Sequence, residues 1–267
     1  MPPTFDPAIA ARFIADAHRN RDTFRNLPAD MGPSTIDEAY QVQEALRDIW
    51  TPSDGPIAGL KIATTTKIMQ QLMGIDHPCG GVIYGKRVHA SPHTLDLSRY
   101  EHVAIECELA VRVRETLPKR DCPYTRDDVR RAVGSVMAAF ELIEDRNAVY
   151  RETSALSLIA DNAWNGGIVL GAAVEVPETM ELNGLKGRVT IGDVVQEGLT
   201  DDPLGSLAWL VNLAADRGKP LEAGQVVITG SIILTLPIAA GETFFFEIEG
   251  VGSVQLTAAA SAQMPVS

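Results

Sequence analysis

The stretch Val103-Ala104-Ile105-Glu106-Cys107-Glu108-Leu109-Ala110-Val111 is an apolar run interrupted by two glutamates. Alternate side chains of a strand share one face, so the pattern predicts a strand from which Glu106 and Glu108 project side by side. Two adjacent carboxylates repel each other, and each would be costly to bury unless a proton or a cation compensated it. A hard divalent ion such as Mg²⁺ or Mn²⁺ prefers oxygen ligands and would neutralise both. The alternative is an edge strand whose glutamates both face solvent.

A second group of carboxylates follows another apolar run, in Phe140-Glu141-Leu142-Ile143-Glu144-Asp145-Arg146. If the strand persists, Glu141 and Glu144 lie on opposite faces, so only one of them can meet the first pair. Glu141, set between Phe140 and Leu142, is the better candidate. Asp145 and Arg146 form a supporting ion pair or simply mark a polar loop.

A lysine occupies a third apolar segment, Gly59-Leu60-Lys61-Ile62-Ala63, just before the hydroxyls Thr64 to Thr66. With a carboxylate nearby, Lys61 would act in proton transfer or bind a substrate carboxylate. The competing interpretation is a solvated, outward-facing lysine followed by threonines that cap the next helix.

Hydrophobic periodicity predicts an α+β protein with a mostly β body behind an N-terminal helical cap. Helical spacing extends over Asp6–Asn26, Ile36–Trp50, Lys67–Met73, Arg126–Val133 and Pro203–Arg217. The predicted strands are Ile57–Thr65, Gly81–Tyr84, His102–Val113, Ser135–Ile143, Asn165–Leu170, Arg188–Val195, Val226–Ile233, Thr243–Ile248 and Gly252–Leu256. The connections between them are mostly too short for a series of βαβ units. Ala258–Ser267 is expected to be a frayed tail.

Composition excludes several classes of protein. The 267 residues include 35 acidic and 23 basic ones, and no Lys or Arg cluster suited to a nucleic-acid backbone is present. The most apolar stretch, Ile228–Ala240, is too short and too interrupted to span a membrane, and no signal peptide is visible. Three cysteines without CxxC spacing fit neither a disulfide scaffold nor a zinc site and favour a reduced, cytoplasmic setting.

Histidines and cysteines give weaker signals. No nucleophile elbow, P-loop, dinucleotide fingerprint or HExxH motif occurs. His18 is expected to be exposed on its helix, and His77-Pro78-Cys79-Gly80 reads first as a turn. Nothing in the sequence indicates that the pKa of Cys79 is lowered.

Taken together, the motifs resemble the 2-keto-4-pentenoate hydratase branch of the fumarylacetoacetate hydrolase superfamily. The likeness runs from about residue 36 to residue 256 without large gaps, and six motifs in register carry it. They are Gly59-Leu60-Lys61-Ile62, Met69-Gln70-Gln71-Leu72-Met73-Gly74-Ile75-Asp76, Glu106-Cys107-Glu108, Glu141-Leu142-Ile143-Glu144-Asp145-Arg146, Asp161-Asn162-Ala163 and Leu221-Glu222-Ala223-Gly224-Gln225-Val226-Val227-Ile228-Thr229-Gly230-Ser231. The resemblance implies a mixed β-roll, a Mg²⁺ or Mn²⁺ ion held by three carboxylates, and a homo-oligomer.

Carried over by position, the resemblance places the metal ligands on Glu106, Glu108 and Glu141 and the active-site lysine on Lys61. It also assigns substrate binding to Thr65, the motif threonine, and to Ser231. The family commonly has a proton-transfer aspartate where this chain has Cys79, so Cys79 becomes a candidate catalytic residue. Small hydroxyl residues usually follow Asp-Asn-Ala, whereas here Trp164 does and would form part of the substrate pocket.

The predicted function is therefore a metal-dependent hydratase that acts on a 2-hydroxy-2,4-dienoate or a similar 2-oxo acid in aromatic or related catabolism. Two alternatives stay open: cleavage of a C–C bond, by hydrolysis of an acylpyruvate or decarboxylation of a 2-oxo acid, and a non-catalytic binder that retains the fold. Residues 1–80 are expected to form the helical cap and first strand, and residues 81–267 the β-roll catalytic part of one structural unit.

Overall fold

The computed structural model describes residues 5–177 and 179–260, and it begins with two helices. Asp6 caps α1 (Pro7–Asn20) by accepting a hydrogen bond from the Ala8 amide at 2.9 Å. The helix ends earlier than the predicted Asn26, because Arg21 adopts a left-handed conformation at φ 57°. Helix α2 (Ile36–Asp54) is capped by Thr35 and continues past Trp50 to Gly55.

The chain then enters the larger of two sheets through β1 (Ile57–Ala63), which α3 (Lys67–Met73) follows. The predicted extension of β1 to Thr65 is wrong, because Thr64 turns the backbone into the left-handed region at φ 54°. Strand β1 pairs in parallel with a strand near the C-terminus, which brings Lys61 opposite Ile228. The first strand is thus part of the large sheet. The predicted division of the chain near residue 80 stays a prediction.

The remaining elements are mostly strands, as predicted. In chain order they are β2 (Cys79–Tyr84), β3 (Val88–Ala90), β4 (His93–Asp96), β5 (Ala104–Val113), α4 (Arg126–Ala132), β6 (Val133–Ile143), α5 (Ala155–Ala160), β7 (Asn165–Leu170), β8 (Val174–Glu175), β9 (Lys186–Ile191), β10 (Val194–Leu199), α6 (Pro203–Asp216), β11 (Val226–Ser231), β12 (Leu236–Pro237), β13 (Thr243–Ile248) and β14 (Gly252–Ala259).

Two mixed sheets pack face to face. The nine-stranded sheet has the order β2-β1-β11-β5-β6-β7-β3, with β12 added to β5 and β8 added to β6. The five-stranded sheet has the order β10-β9-β13-β14-β4. One hydrophobic cluster joins the facing sides, and in it the rings of Phe140 and Phe246 lie 6.0 Å apart. The expected α+β architecture is confirmed, with α1 and α2 packed together at the N-terminal end.

Three local predictions need correction. The single strand expected over Arg188–Val195 is a hairpin, because Gly192 turns the chain at φ 55° between β9 and β10. Ala258 and Ala259 belong to β14 rather than to a tail, and the rest of that expected tail from residue 261 onward lies outside the described residues. Cys79 and Gly80 begin β2 instead of forming a turn. The short strands β3, β4, β8 and β12 and helix α5 carry too little periodicity to be recognised.

Candidate metal centre and substrate cavity

Three glutamates meet on the two central strands of the large sheet. Glu106 of β5 lies directly opposite Glu141 of the antiparallel strand β6, and Glu108 is two residues along on the same face. One oxygen from each of the three carboxylates lies within 4.8 Å of the others. Strand β5 is flanked by β11 and β6, so the alternative of an edge strand with solvent-facing glutamates is excluded.

Each carboxylate is oriented by one neutral donor from a different part of the chain. The Thr235 hydroxyl donates to Glu106 at 2.6 Å, the Gly230 amide donates to Glu108 at 2.7 Å, and the Asn165 side-chain amide donates to Glu141 at 2.8 Å. Gly230 is itself at φ 115°, a backbone conformation that strongly favours glycine, so the amide direction depends on this residue.

Two carboxylate oxygens remain without a hydrogen-bond partner, Glu108 Oε1 and Glu141 Oε2, although both are buried. Unpaired buried charge is costly, and a cation bound between the glutamates would remove the cost. Three hard oxygen donors in this arrangement fit a divalent metal ion. The donor set, its spacing and its two unpaired oxygens therefore fit a divalent metal ion, and the assignment of the three glutamates as its ligands stays a prediction.

The pKa values of this cluster show the same excess of negative charge. Burial, together with the Glu141 and Glu106 carboxylates, raises the pKa of Glu108 well above its ordinary value. Burial also raises the pKa of Glu141 to about 7, although Lys61 opposes the shift. Without a cation the cluster thus holds protons at a pH where isolated glutamates have lost them.

Lys61 lies beside the carboxylates and is only 1% exposed. Its Nζ is 3.1 Å from Glu141 Oε1 and donates to the Ala163 carbonyl at 3.0 Å. Burial alone would lower the pKa of Lys61, but the carboxylates of Glu141, Glu106 and Glu108 outweigh burial and raise it. The solvated, outward-facing alternative is excluded, and the ammonium is held in its charged form.

The Ala163 carbonyl, which accepts the hydrogen bond from Lys61, belongs to a strained turn. Asn162, Ala163 and Trp164 have φ values of 51°, 46° and 59°, all in the left-handed region that non-glycine residues avoid. The Asn162 side chain holds this turn against β2 by accepting from the Val82 amide at 2.8 Å and donating to the Val82 carbonyl at 2.9 Å. The strain is thus located where a backbone carbonyl must face the lysine.

A cavity of about 600 Å³ opens next to the glutamates. Lys61 and Glu106 line it, and so do the three predicted substrate-binding residues Thr65, Trp164 and Ser231. Trp164 is buried edge-to-face against Phe24 and Tyr150, and its indole Nε1 has no hydrogen-bond partner among the described residues. The structure brings these three residues to one cavity, and their roles toward a substrate stay predictions.

Cys79 occupies a different position. It is fully buried among Ala39, Tyr40 and Ile159 and is not among the residues that line the cavity. Burial raises the pKa of its thiol, although Thr64 and Lys61 act in the opposite direction. The catalytic role expected of Cys79 stays a prediction, and its surroundings offer a proton-transfer group no direct contact with the cavity.

Several residues of the site were not recognised from the sequence. Thr235, Gly230 and Asn165 orient the glutamates, and Gln196 and Glu197 of the β9–β10 hairpin reach the cavity wall. No local pattern points to Thr235, which lies 129 residues from the glutamate to which it donates. Asn165 and Gly230 did have a signal, because Asn165 lies beside the Asp161-Asn162-Ala163 motif and Gly230 lies within the Leu221–Ser231 motif.

A second group of buried charges lies under the N-terminal helices. Arg146 pairs with Asp161 rather than with Asp145, and both partners of that pair are almost fully buried. The prediction that His18 is exposed is wrong, because its side chain is only 13% exposed. Its Nε2 lies 2.7 Å from Asp161 Oδ1. Asp145 instead accepts from the His102 ring at 2.6 Å and from the Tyr150 hydroxyl at 3.1 Å.

Known proteins share this fold and this sequence pattern. The chain matches the family described as Fumarylacetoacetate (FAA) hydrolase C-terminal over residues 78–258, about two thirds of its length. The chain therefore belongs to the fumarylacetoacetate hydrolase family.

Three of the similar proteins are two hydratases and a decarboxylase. The 2-oxo-hept-4-ene-1,7-dioate hydratase of Escherichia coli is 28% identical over 92% of this chain and 95% of its own length. The 2-keto-4-pentenoate hydratase of Paraburkholderia xenovorans is also 28% identical, over 88% of this chain and 86% of its own. A solved structure of 4-oxalocrotonate decarboxylase from Pseudomonas putida G7, complexed with magnesium and adipate, superposes with a TM-score of 0.86 at 27% identity and covers 94% of this chain and 97% of its own.

The family, the fold and the enzyme class expected from the sequence are confirmed, because these relatives are hydratases and a decarboxylase whose structure holds magnesium. No helix in the described ranges is long and apolar enough to cross a membrane.

Proposed function

We propose that this protein is a Mg²⁺- or Mn²⁺-dependent hydratase that adds water to a 2-hydroxy-2,4-dienoate, the enol form of a 2-oxo-4-enoate. The observation that carries the proposal is the cluster of Glu106, Glu108 and Glu141, which has two unpaired buried oxygens. Its member Glu106 lines a cavity large enough for a small organic acid. A scaffold without chemistry would have no use for such costly clustered charge.

In this proposal Glu106, Glu108 and Glu141 hold the ion through carboxylate oxygens. When bound, the ion supplies positive charge to a substrate carboxylate and 2-oxygen, where negative charge develops during ketonisation and water addition. The donors on Thr235, Gly230 and Asn165 keep the three carboxylates in place, so the protein does not have to reorganise as that charge appears.

Lys61 is the group next to the cluster that can hold or donate a proton. Its Nζ contacts Glu141 and the Ala163 carbonyl, and the surrounding carboxylates keep it protonated. The ammonium is thus positioned to bind the substrate carboxylate or to deliver a proton to the substrate from one fixed side.

A related reaction on the same site is the second candidate. The structural similarity to 4-oxalocrotonate decarboxylase, at a TM-score of 0.86, favours loss of carbon dioxide from a 2-oxo acid as the alternative. Either reaction develops negative charge on the 2-oxygen of the substrate, so the same site would stabilise both. Hydrolytic C–C cleavage of an acylpyruvate is a third member of this set.

Turnover of dienoates, 2-oxo-enedioates and acylpyruvates with Mg²⁺ tests the proposal directly. We expect the enol absorbance to decay and mass spectrometry to show a product that has gained one water. A product that has lost carbon dioxide, or two fragments, would replace hydration by the corresponding alternative. Glu106→Ala and Glu108→Ala should abolish turnover, whereas Glu247→Ala, on an exposed position of β13, should not.

Metal analysis separates an enzyme from a binder that merely keeps the fold. The purified wild-type protein should bind Mg²⁺ or Mn²⁺, and chelation should abolish its activity. The proposal fails if folded Glu108→Ala protein keeps full activity after chelator treatment.

Assembly into a homo-oligomer and a cytoplasmic location are also part of the proposal. Leu234 is 86% exposed and Leu199 is 60% exposed, and contact with a second copy would cover both side chains. Light scattering after size exclusion would show a mass above 28.7 kDa if the chain assembles.

A further inference from the structure

The walls of the substrate cavity differ sharply in polarity. Near the glutamates the wall is polar and charged, with Lys61, Glu106 and Thr235. Another part belongs to a single hydrophobic cluster and its partly buried neighbours, contributed by Met69, Met73, Ile143, Tyr150, Leu158 and Trp164. A substrate held by its 2-oxo acid end at the glutamates would therefore lay its other end along apolar side chains.

The cavity has no free positive charge for a second acid group. Among the described residues that line it, Lys61 is the sole Lys, Arg or His, and its Nζ is already engaged by Glu141 and the Ala163 carbonyl. A second carboxylate on the substrate would lose its hydration without gaining an opposite charge. Burying an unpaired carboxylate in this way is strongly unfavourable.

One further acid, Glu197 of strand β10, lines the same cavity. Its counter-ion is Lys186, whose Nζ lies 2.8 Å from Glu197 Oε2. Lys186 lines a separate surface depression together with Glu197 but does not line the cavity. The cavity wall therefore includes the acidic residue of this ion pair and not the lysine.

From these observations we infer that the cavity selects 2-oxo monoacids with an uncharged, apolar tail, and that Glu197 is a specificity-determining residue that disfavours a second substrate carboxylate. The inference rests on the proposed function, because the metal-binding end sets which way the substrate lies. It narrows that function by placing oxo-diacids outside the preferred substrates.

A matched pair of unreactive ligands tests the inference by binding rather than by turnover. 2-Oxohexanoate and 2-oxohexanedioate have the same carbon chain and differ only in a terminal methyl or carboxylate group. Isothermal titration calorimetry of the Mg²⁺-loaded protein should give a dissociation constant at least about tenfold lower for the monoacid.

Two variants separate the role of Glu197 from a general effect of charge. Glu197→Gln should tighten binding of the diacid by about fivefold and leave the monoacid unchanged, because one nearby like charge has been removed. Glu247→Gln removes the same charge from an exposed position of β13 that does not line the cavity, so the ratio of the two constants should stay at the wild-type value.

Equal or tighter binding of the diacid by the wild type would overturn the inference. So would a ratio that Glu197→Gln leaves unchanged. In both cases the monoacid still binds and the proposed function stands. If the metal-loaded protein binds neither 2-oxo acid, the proposed function and the inference fall together.

Discussion

The protein buries two clusters of charged side chains, which differ in how far their charges are compensated. In the carboxylate cluster, Glu106, Glu108 and Glu141 face one lysine, and two oxygens have no partner. In the arginine cluster, which consists of Arg146, Asp161 and His18, the Asp161 oxygens contact Arg146 on one side and His18 at 2.7 Å on the other.

The pKa shifts record this difference. Burial would raise the pKa of Asp161, but His18 and Arg146 outweigh burial and hold it below its ordinary value. The pKa values of Glu108 and Glu141 are raised instead, since burial and mutual repulsion exceed what Lys61 compensates. A buried cluster whose charges are balanced stabilises the fold, whereas one left unbalanced needs a ligand to complete it.

The largest expected effect is on activity. Glu108→Gln removes a metal-site charge while keeping the side-chain shape, so turnover and Mg²⁺ affinity should fall by about a thousandfold or more. The stability of the metal-free protein to urea should not fall, because burial and the neighbouring carboxylates already favour the uncharged form of Glu108. A large loss of metal-free stability would show that the two clusters are alike after all.

The next effect is on folding. Arg146→Met removes the arginine from buried Asp161, which then has only His18 beside it, and should lower the free energy of unfolding by about 3 kcal/mol. Urea denaturation measures the change, and the double variant Arg146→Met with Asp161→Asn should recover part of it. Arg151→Met, at a side chain that is 80% exposed, is the control and should be nearly neutral.

Metal and pH should act on the carboxylate cluster in a predictable direction. A fixed Mg²⁺ concentration, about 100 times the dissociation constant at pH 8, should stabilise the protein by about 2.7 kcal/mol at that pH. Because the pKa of Glu141 is about 7, protons compete with the ion as the pH falls, so this stabilisation should be smaller at pH 6 than at pH 8. Thermal melts with Mg²⁺ or chelator at each pH would measure it.

The metal-free protein should show the opposite trend. A carboxyl whose folded-state pKa is raised contributes stability that is fully present below its unfolded value and is lost as the pH rises through about 7. Asp161, whose pKa is lowered, contributes stability that is present above its unfolded value and is lost only in stronger acid. If Mg²⁺ stabilised the protein equally at pH 6 and pH 8, the raised pKa of Glu141 would be contradicted.

The smallest expected effect is at the edge of the arginine cluster. His18→Ala removes one hydrogen bond to Asp161 while Arg146 still balances the charge, so it should cost about 1 kcal/mol of stability. Urea denaturation checks this value against Arg19→Ala, a neighbour whose side chain is 70% exposed. A loss as large as that of Arg146→Met would mean that His18 carries the main compensation.

The sequence was most informative where the relevant signal is local. Strand alternation alone placed Glu106 and Glu108 on one face, and the apolar neighbours of Glu141 distinguished it from Glu144. Helix ends were predicted less well, because single left-handed residues such as Arg21 stop an otherwise continuous pattern.

The arginine cluster shows what local patterns miss. Arg146 and Asp145 are adjacent in sequence, yet each pairs with a residue from another element, at Asp161 and His102. His18 lies 143 residues from Asp161, so nothing near His18 in the chain indicates that it is partly buried.

The sequence by itself determined the carboxylates, the lysine and the α+β architecture, because these follow from periodicity and residue chemistry over short stretches. Only the tertiary structure decided which other groups contact the carboxylates and the lysine or line the cavity beside them. The donors on Thr235 and Gly230, the Ala163 carbonyl and the cavity-facing Glu197 all come from distant parts of the chain. Strand register and strained turns bring these groups together, and both are consequences of packing that no local pattern encodes.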